Sequence, residues 1–198
     1  MNGQIIALII VVVLAAVVVL VVLTMRQRRT RNLKQTFGTE YDTAIQAAGN
    51  PRDAEAELES RRRRREALNI RELSPESATR YEAQWKEIQV RFVDAPDTSL
   101  READTLLVEV MRERGYPVEE FDQRAADISV DHPDLVQSYR AAHEVSTRTG
   151  RGTASTDDLR IALQRYRDMF IELLGPRERI SSDAAQSERA VGDQEMAR

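Results

Sequence analysis

The start of the chain constrains it most. From Ile5 to Met25 the sequence is built from Ile, Val, Leu and Ala until Thr24 and Met25, and no side chain before Arg26 is charged. Twenty-one such residues wound as an α-helix reach about 31 Å, at ~1.5 Å per residue, which matches a hydrocarbon core of ~30 Å. A helix also satisfies its backbone groups internally, as a bilayer requires. The run therefore predicts a transmembrane helix over 5–25, with residues 1–4 as a short extracytoplasmic N-terminus. A cleaved signal peptide is the rival reading. It needs a positive lead-in, a shorter apolar run and a small-residue cleavage site, whereas here no charged side chain precedes the run and Leu23-Thr24-Met25-Arg26 offers no such site.

Charge then sets orientation. Arg26, Arg28, Arg29, Arg31 and Lys34 form a basic juxtamembrane collar at 26–35 that contains no acid. Basic residues beside a span stay on the cytoplasmic side, so the N-terminus is expected outside and the rest of the chain in the cytoplasm of a single-pass cell-membrane protein. The collar also suits anionic headgroups of the lipid bilayer. The whole chain carries −4 and the collar +5, which leaves −9 on residues 36–198. Nucleic acid is an unfavourable partner for so acidic a body, because phosphate neutralisation needs clustered Lys and Arg. The chain has no Cys, which removes disulfides, thiol nucleophiles and thiolate metal sites.

Behind the collar the pattern is helical throughout, and no useful stretch alternates with period two. Residues 36–73 read as a charged helical connector: a short helix over Thr36–Gly49 with Tyr41, Ile45 and Ala48 on one side, then an exposed helix from Asp53 to about Leu68. The second pairs Glu57 with Arg61 and Glu59 with Arg63 at i,i+4. Residues 74–174 read as a small soluble helical bundle. Ser74-Pro75 is a helix start, and Tyr81, Trp85, Ile88 and Phe92 follow at steps of 4, 3 and 4, one apolar stripe.

The next helix, from about Thr98 to Arg114, turns Leu100, Ala103, Leu107, Val110 and Met111 inward and stops at Gly115. Pro117 opens a shorter one with Phe121, Ala125 and Ile128. Asp131-His132-Pro133 starts another, with Asp131 as cap and Leu135, Val136, Tyr139 and Ala142 inside. Ser155 caps the last helix, whose inner face is Leu159, Leu163, Tyr166, Phe170 and Leu173. The expected core anchors are Trp85, Phe92, Phe121, Tyr139, Tyr166 and Phe170. Residues 175–198 lack large apolar groups apart from Ile180, Val191 and Met196 and read as a disordered tail. The fold class is thus all-α: one transmembrane helix, a soluble helical bundle and a tail.

Several motifs invite chemistry. His132-Pro133-Asp134 is the tripeptide with which J-domain co-chaperones stimulate an ATPase. In those proteins it follows a basic amphipathic helix, whereas here Asp127 to Asp131 precede it. Asp127, Ser129 and Asp131 fall at the first, third and fifth positions of a calcium loop, but the sixth is His132 rather than Gly and the twelfth is Ser138 rather than Glu. His132 and His143 lie eleven residues apart, about 16 Å on a continuous helix, too far to share one metal ion. Gly150 to Ser155 lacks the strand, third Gly and Lys of a phosphate loop. Arg61 to Arg65 spread around more than a helical turn and cannot form one binding face, so they read as part of a solvated, salt-bridged helix.

The segments YEAQWKEIQVRFVDAP (81–96), EADTLLVEVMRERGYPVEEF (102–121), DQRAADISVDHPDLVQSYRAAHEV (122–145) and ASTDDLRIALQRYRDMFIELL (154–174) resemble a family of bacterial single-pass membrane-anchored helical proteins of unassigned activity. The resemblance implies architecture and adds no mechanism. Neither a catalytic signature nor a cofactor motif is present. The expected function is a membrane-tethered cytoplasmic interaction or scaffold module, with an unidentified protein partner or a second copy of itself. The alternatives are a membrane-anchored enzyme or metal-dependent protein using Asp127–Asp134 with His132, and a J-domain-like co-chaperone. Asp131, His132 and Asp134 are the site candidates.

Overall fold

In the computed structural model, the described residues are 2–150 and 153–175, with the side chains of 2–12 outside that set. They are all-helical, with eight helices and no strand. The described chain divides between Ser60 and Arg61 into two compact units.

In the first unit, α1 runs without a break over Asn2–Phe37. The collar is therefore part of the same helix as the apolar run, and Thr36 and Phe37 end α1 instead of beginning the next helix. Gly38 makes the corner at φ 47° and ψ −125°, a positive-φ conformation that suits glycine because it has no Cβ. α2 (Thr39–Ala48) and α3 (Pro51–Ala67) follow. Leu33 and Phe37 of α1, Tyr41 and Ala44 of α2, and Ala54 and Leu58 of α3 are buried.

Two expectations change here. Ile45 is only half-buried and Ala48 is exposed, while Glu40 joins Tyr41 and Ala44 inside. α3 is not an exposed helix: Ala54 and Leu58 have no accessible surface. Its short Ala and Leu side chains, spaced i,i+4, are enough to dock one face despite the surrounding charge. Every side chain from Val13 to Arg29 is exposed. Among the described residues no helix is long and apolar enough to cross a membrane. The expected span of 5–25 extends over side chains 5–12, which lie outside the described set.

The second unit holds the end of α3 from Arg61 and five further helices: α4 (Pro75–Arg91), α5 (Pro96–Arg114), α6 (Phe121–Asp131), α7 (Pro133–Thr149) and α8 (Thr156–Leu174). α5 is central and packs on α4, α7 and α8, while α7 also packs on α6 and α8. Its inward residues Leu100, Ala103, Leu107, Val110 and Met111 are fully buried, and Ser99 and Leu106 join them. The helix starts follow the sequence. Ser74 accepts the Ser77 amide, and Ser155 and Asp158 make a reciprocal capping box, each satisfying donors that a helix leaves free.

Segment 61–73 is part of this packing. Leu68, Ile70 and Leu73 lie against the core, and the Arg71 amide donates to the Arg114 carbonyl at 2.9 Å. That contact explains Gly115, at φ 97°: a Cβ there would meet the Asn69 carbonyl oxygen at 2.5 Å. α6 starts at Phe121, so Pro117 precedes the helix and does not open it. Asp131 is not the cap of α7: His132 stands at that position without a side-chain capping bond, and Pro133 is the first helical residue. The expected tail over 175–198 lies outside the described residues from Pro176 onward.

Candidate functional site

The candidates Asp131, His132 and Asp134 sit at the corner between α6 and α7, because Pro133 cannot continue α6. Their surroundings differ sharply. Asp131 is engaged from two directions: one carboxylate oxygen accepts from Arg65 Nε at 2.5 Å and from the Tyr116 hydroxyl. One turn earlier, Asp127 is 1% exposed. It accepts from Gln123 Nε2 at 2.8 Å, with Arg64 Nε at 3.5 Å. The arginine run, expected on a solvated, salt-bridged helix, thus aims two consecutive members at two carboxylates on one face of α6. Burial first, and the bond to Asp131 second, push the Tyr116 hydroxyl well above its ordinary range. Tyr116 is therefore a neutral donor.

His132 is turned inward, with its side chain 11% exposed and Nδ1 3.4 Å from Glu172 Oε1 of α8. Burial pulls its pKa below the ordinary value despite the nearby carboxylates of Glu172 and Asp131. The ring is neutral at pH 7, and Nδ1–H is placed to donate to Glu172. Nε2 is buried with no hydrogen-bond partner. Asp134 alone stands free on the exposed surface, in the first turn of α7, where a negative charge suits the helix dipole. The three neighbours in sequence therefore do not converge on one point. The positions that suggested a calcium loop are helical. Among the described residues no three His, Asp or Glu are grouped to hold a metal ion.

A second polar cluster lies inside the bundle. Arg124 is buried, and its Nε donates to the Tyr139 hydroxyl at 2.8 Å while an amino group donates to the Val118 carbonyl at 2.8 Å. His143 stacks on Phe121, with ring centroids 3.7 Å apart and 8° between planes. Its Nδ1 lies 3.5 Å from Asp104 Oδ1 on α5. Burial, with Asp104 adding to it, pushes the Tyr139 hydroxyl up to about 12 and holds Tyr166 further above its usual range. This set ties α5, α6, α7 and α8 together through donors and rings. Both tyrosines stay protonated at any physiological pH.

Trp85 and Phe170 stack at 4.8 Å and 18°, on the floor of an open groove of about 180 Å³ between α4 and α8. Lys86, Arg167 and the exposed Ile171 form its walls. A broader groove of about 330 Å³ between α4 and α5 is lined mainly by polar and charged side chains, among them the Arg91–Glu102 pair at 2.9 Å. Of the expected core anchors, Trp85, Tyr139, Tyr166 and Phe170 are buried, whereas Phe92 and Phe121 are half-buried against the core.

In the first unit, Glu55 is the hub. It accepts from Thr30 of α1 at 2.7 Å and from the Tyr41 hydroxyl of α2 at 2.9 Å. Burial and that carboxylate push Tyr41 up to about 12. Lys34 lies 5.1 Å over the Tyr41 ring, while Arg26, Arg28, Arg29 and Arg31 are exposed. Sequence reasoning missed Glu55, Tyr116 and Arg124. Each is a polar residue whose partner lies on another element, so no local spacing marks it. No family model, no curated protein and no solved structure matches this chain.

Proposed function

We propose that the chain is a membrane-tethered helical interaction module: α1 crosses the bilayer over Ile5–Met25, and the helical body serves a protein partner or a second copy at the cytoplasmic face. One observation carries the reading. Between Val13 and Met25 every side chain of α1 is exposed, and all but Thr24 are apolar. A helix that is apolar all round and packs against nothing in its own chain requires an apolar surrounding. Thr24 fits such a setting, because its hydroxyl donates to the Val21 carbonyl at 2.8 Å and needs no water. The collar that follows supports the cytoplasmic orientation.

The absence of Cys makes the test direct, with Ser182→Cys as a single probe. The full chain should stay in the membrane pellet through alkaline extraction, and an impermeant maleimide should label Ser182→Cys only after lysis. Recovery in the soluble fraction overturns the tether. Labelling of intact cells reverses the orientation and removes cytoplasmic partners. Cross-linking of the correctly oriented protein should then give a discrete partner or a self-adduct, and its failure in every condition counts against the interaction role.

A further inference from the structure

We propose that Arg26, Arg28, Arg29 and Arg31 form a ring around α1 that binds the phosphate groups of anionic phospholipids, so that the protein carries an annulus of such lipids; this rests on the tether reading. At 3.6 residues per turn each step rotates about 100°. Taking Arg26 as zero, Arg31, Arg28 and Arg29 fall at about 140°, 200° and 300°, leaving no free arc wider than about 140°. A helix lying in the interface would gather its positive charge on one face. A distributed ring instead suits a helix that passes through the headgroup layer. The ring also has the right height. Arg26 to Arg31 rise about 7.5 Å, close to the roughly 5–8 Å that each headgroup layer adds to the hydrocarbon core.

The four guanidinium groups are uncommitted. All are exposed, and none is bonded to a carboxylate among the described residues. Glu55, the carboxylate that reaches α1 in this unit, accepts from Thr30 and Tyr41. The fifth collar residue differs, since Lys34 sits over the Tyr41 ring, about 12 Å along the axis from Arg26. A guanidinium presents a planar fork of donors that matches two phosphate oxygens at once. A phosphodiester headgroup with net negative charge, as in phosphatidylglycerol, is therefore the ligand class.

The experiment reconstitutes the full chain in phosphatidylcholine bilayers containing spin-labelled phosphatidylglycerol or spin-labelled phosphatidylcholine, and measures the motionally restricted fraction of each. The inserted protein should prefer phosphatidylglycerol several-fold at low salt. The R26Q/R28Q/R29Q/R31Q chain should remain inserted and lose that preference, the corresponding Arg→Lys set should keep the charge but only part of the preference, and Lys34→Gln should keep it in full. An inserted parent chain that restricts both lipids equally overturns the ring and leaves the tether standing, and so does a preference that survives the four Gln substitutions. A chain that does not insert at all overturns the tether itself, and the ring with it.

Discussion

Replacing Asp131 by Ala separates a structural role from a chemical one at the α6–α7 corner. The substitution removes the acceptor of both Arg65 and Tyr116. Tyr116 is 3% exposed, so its hydroxyl is stranded, at a cost of about 1–3 kcal/mol. The Arg65–Asp131 side chains are 27% and 24% exposed. Solvent screening limits that pair to about 1 kcal/mol despite its short contact. The expected loss is therefore about 3 kcal/mol, or roughly 12 °C in melting temperature for a unit of this size. Urea unfolding of residues 61–175 gives the free energies. Double-mutant cycles with Tyr116→Phe and Arg65→Met divide the loss, and the Tyr116 coupling should be the larger, because only that group is fully desolvated. A loss below about 0.5 kcal/mol, the size of an ordinary surface substitution, would refute this account of Asp131 as a tie holding the end of α3 and the α5–α6 connection to α6.

Three further outcomes follow from the same geometry. Gly115→Ala should cost more than about 2 kcal/mol, since it adds left-handed strain to a 2.5 Å approach to the Asn69 carbonyl; unchanged urea unfolding would mean that the 61–73 segment does not pack there. Burial holds His132 below its ordinary value near 6.5, so the unfolded chain takes up that proton first. Stability should therefore be full above about pH 6.5 and fall as the pH drops from there toward the lowered folded value; His132→Gln should flatten that slope in melts across pH 5–7. Phe170→Ala should cost about 3–5 kcal/mol, because the ring is 2% exposed and stacks on Trp85; tryptophan fluorescence of the folded variant should shift as the indole loses its cover.

The helices of the second unit were legible because their signals are local. Ser74-Pro75, Gly115 and Ser155 mark ends through bonds within a turn or two, and the Trp85 and Leu107 stripes repeat at helical spacing. Asp131 shows where such reading stops. Its place before His132-Pro133 is that of a cap by every local rule, yet Arg65 and Tyr116, 66 and 15 residues away in sequence, draw its side chain to themselves. α3 fails for the same reason in reverse. Its composition is that of an exposed helix, and no local spacing shows that Ala54 and Leu58 are fully buried.

The arginine run shows how charge takes on a specific structural role. Five consecutive arginines on a helix cannot share a face, so they cannot make one binding patch. They can serve several structures at once. Arg64 and Arg65 meet Asp127 and Asp131, which are four residues apart and therefore on one face of α6. Asp127, with its side chain 2% exposed, is the sort of carboxylate that costs several kcal/mol to bury unless it is paired and hydrogen-bonded. The acidic segment that looked most like chemistry thus has a sufficient structural explanation on the side that faces α3. The collar arginines on α1 have no such partners. The same residue type, at nearly the same density, closes the fold in one place and remains open to an anion in the other. What separates the two roles is whether this chain supplies the carboxylate.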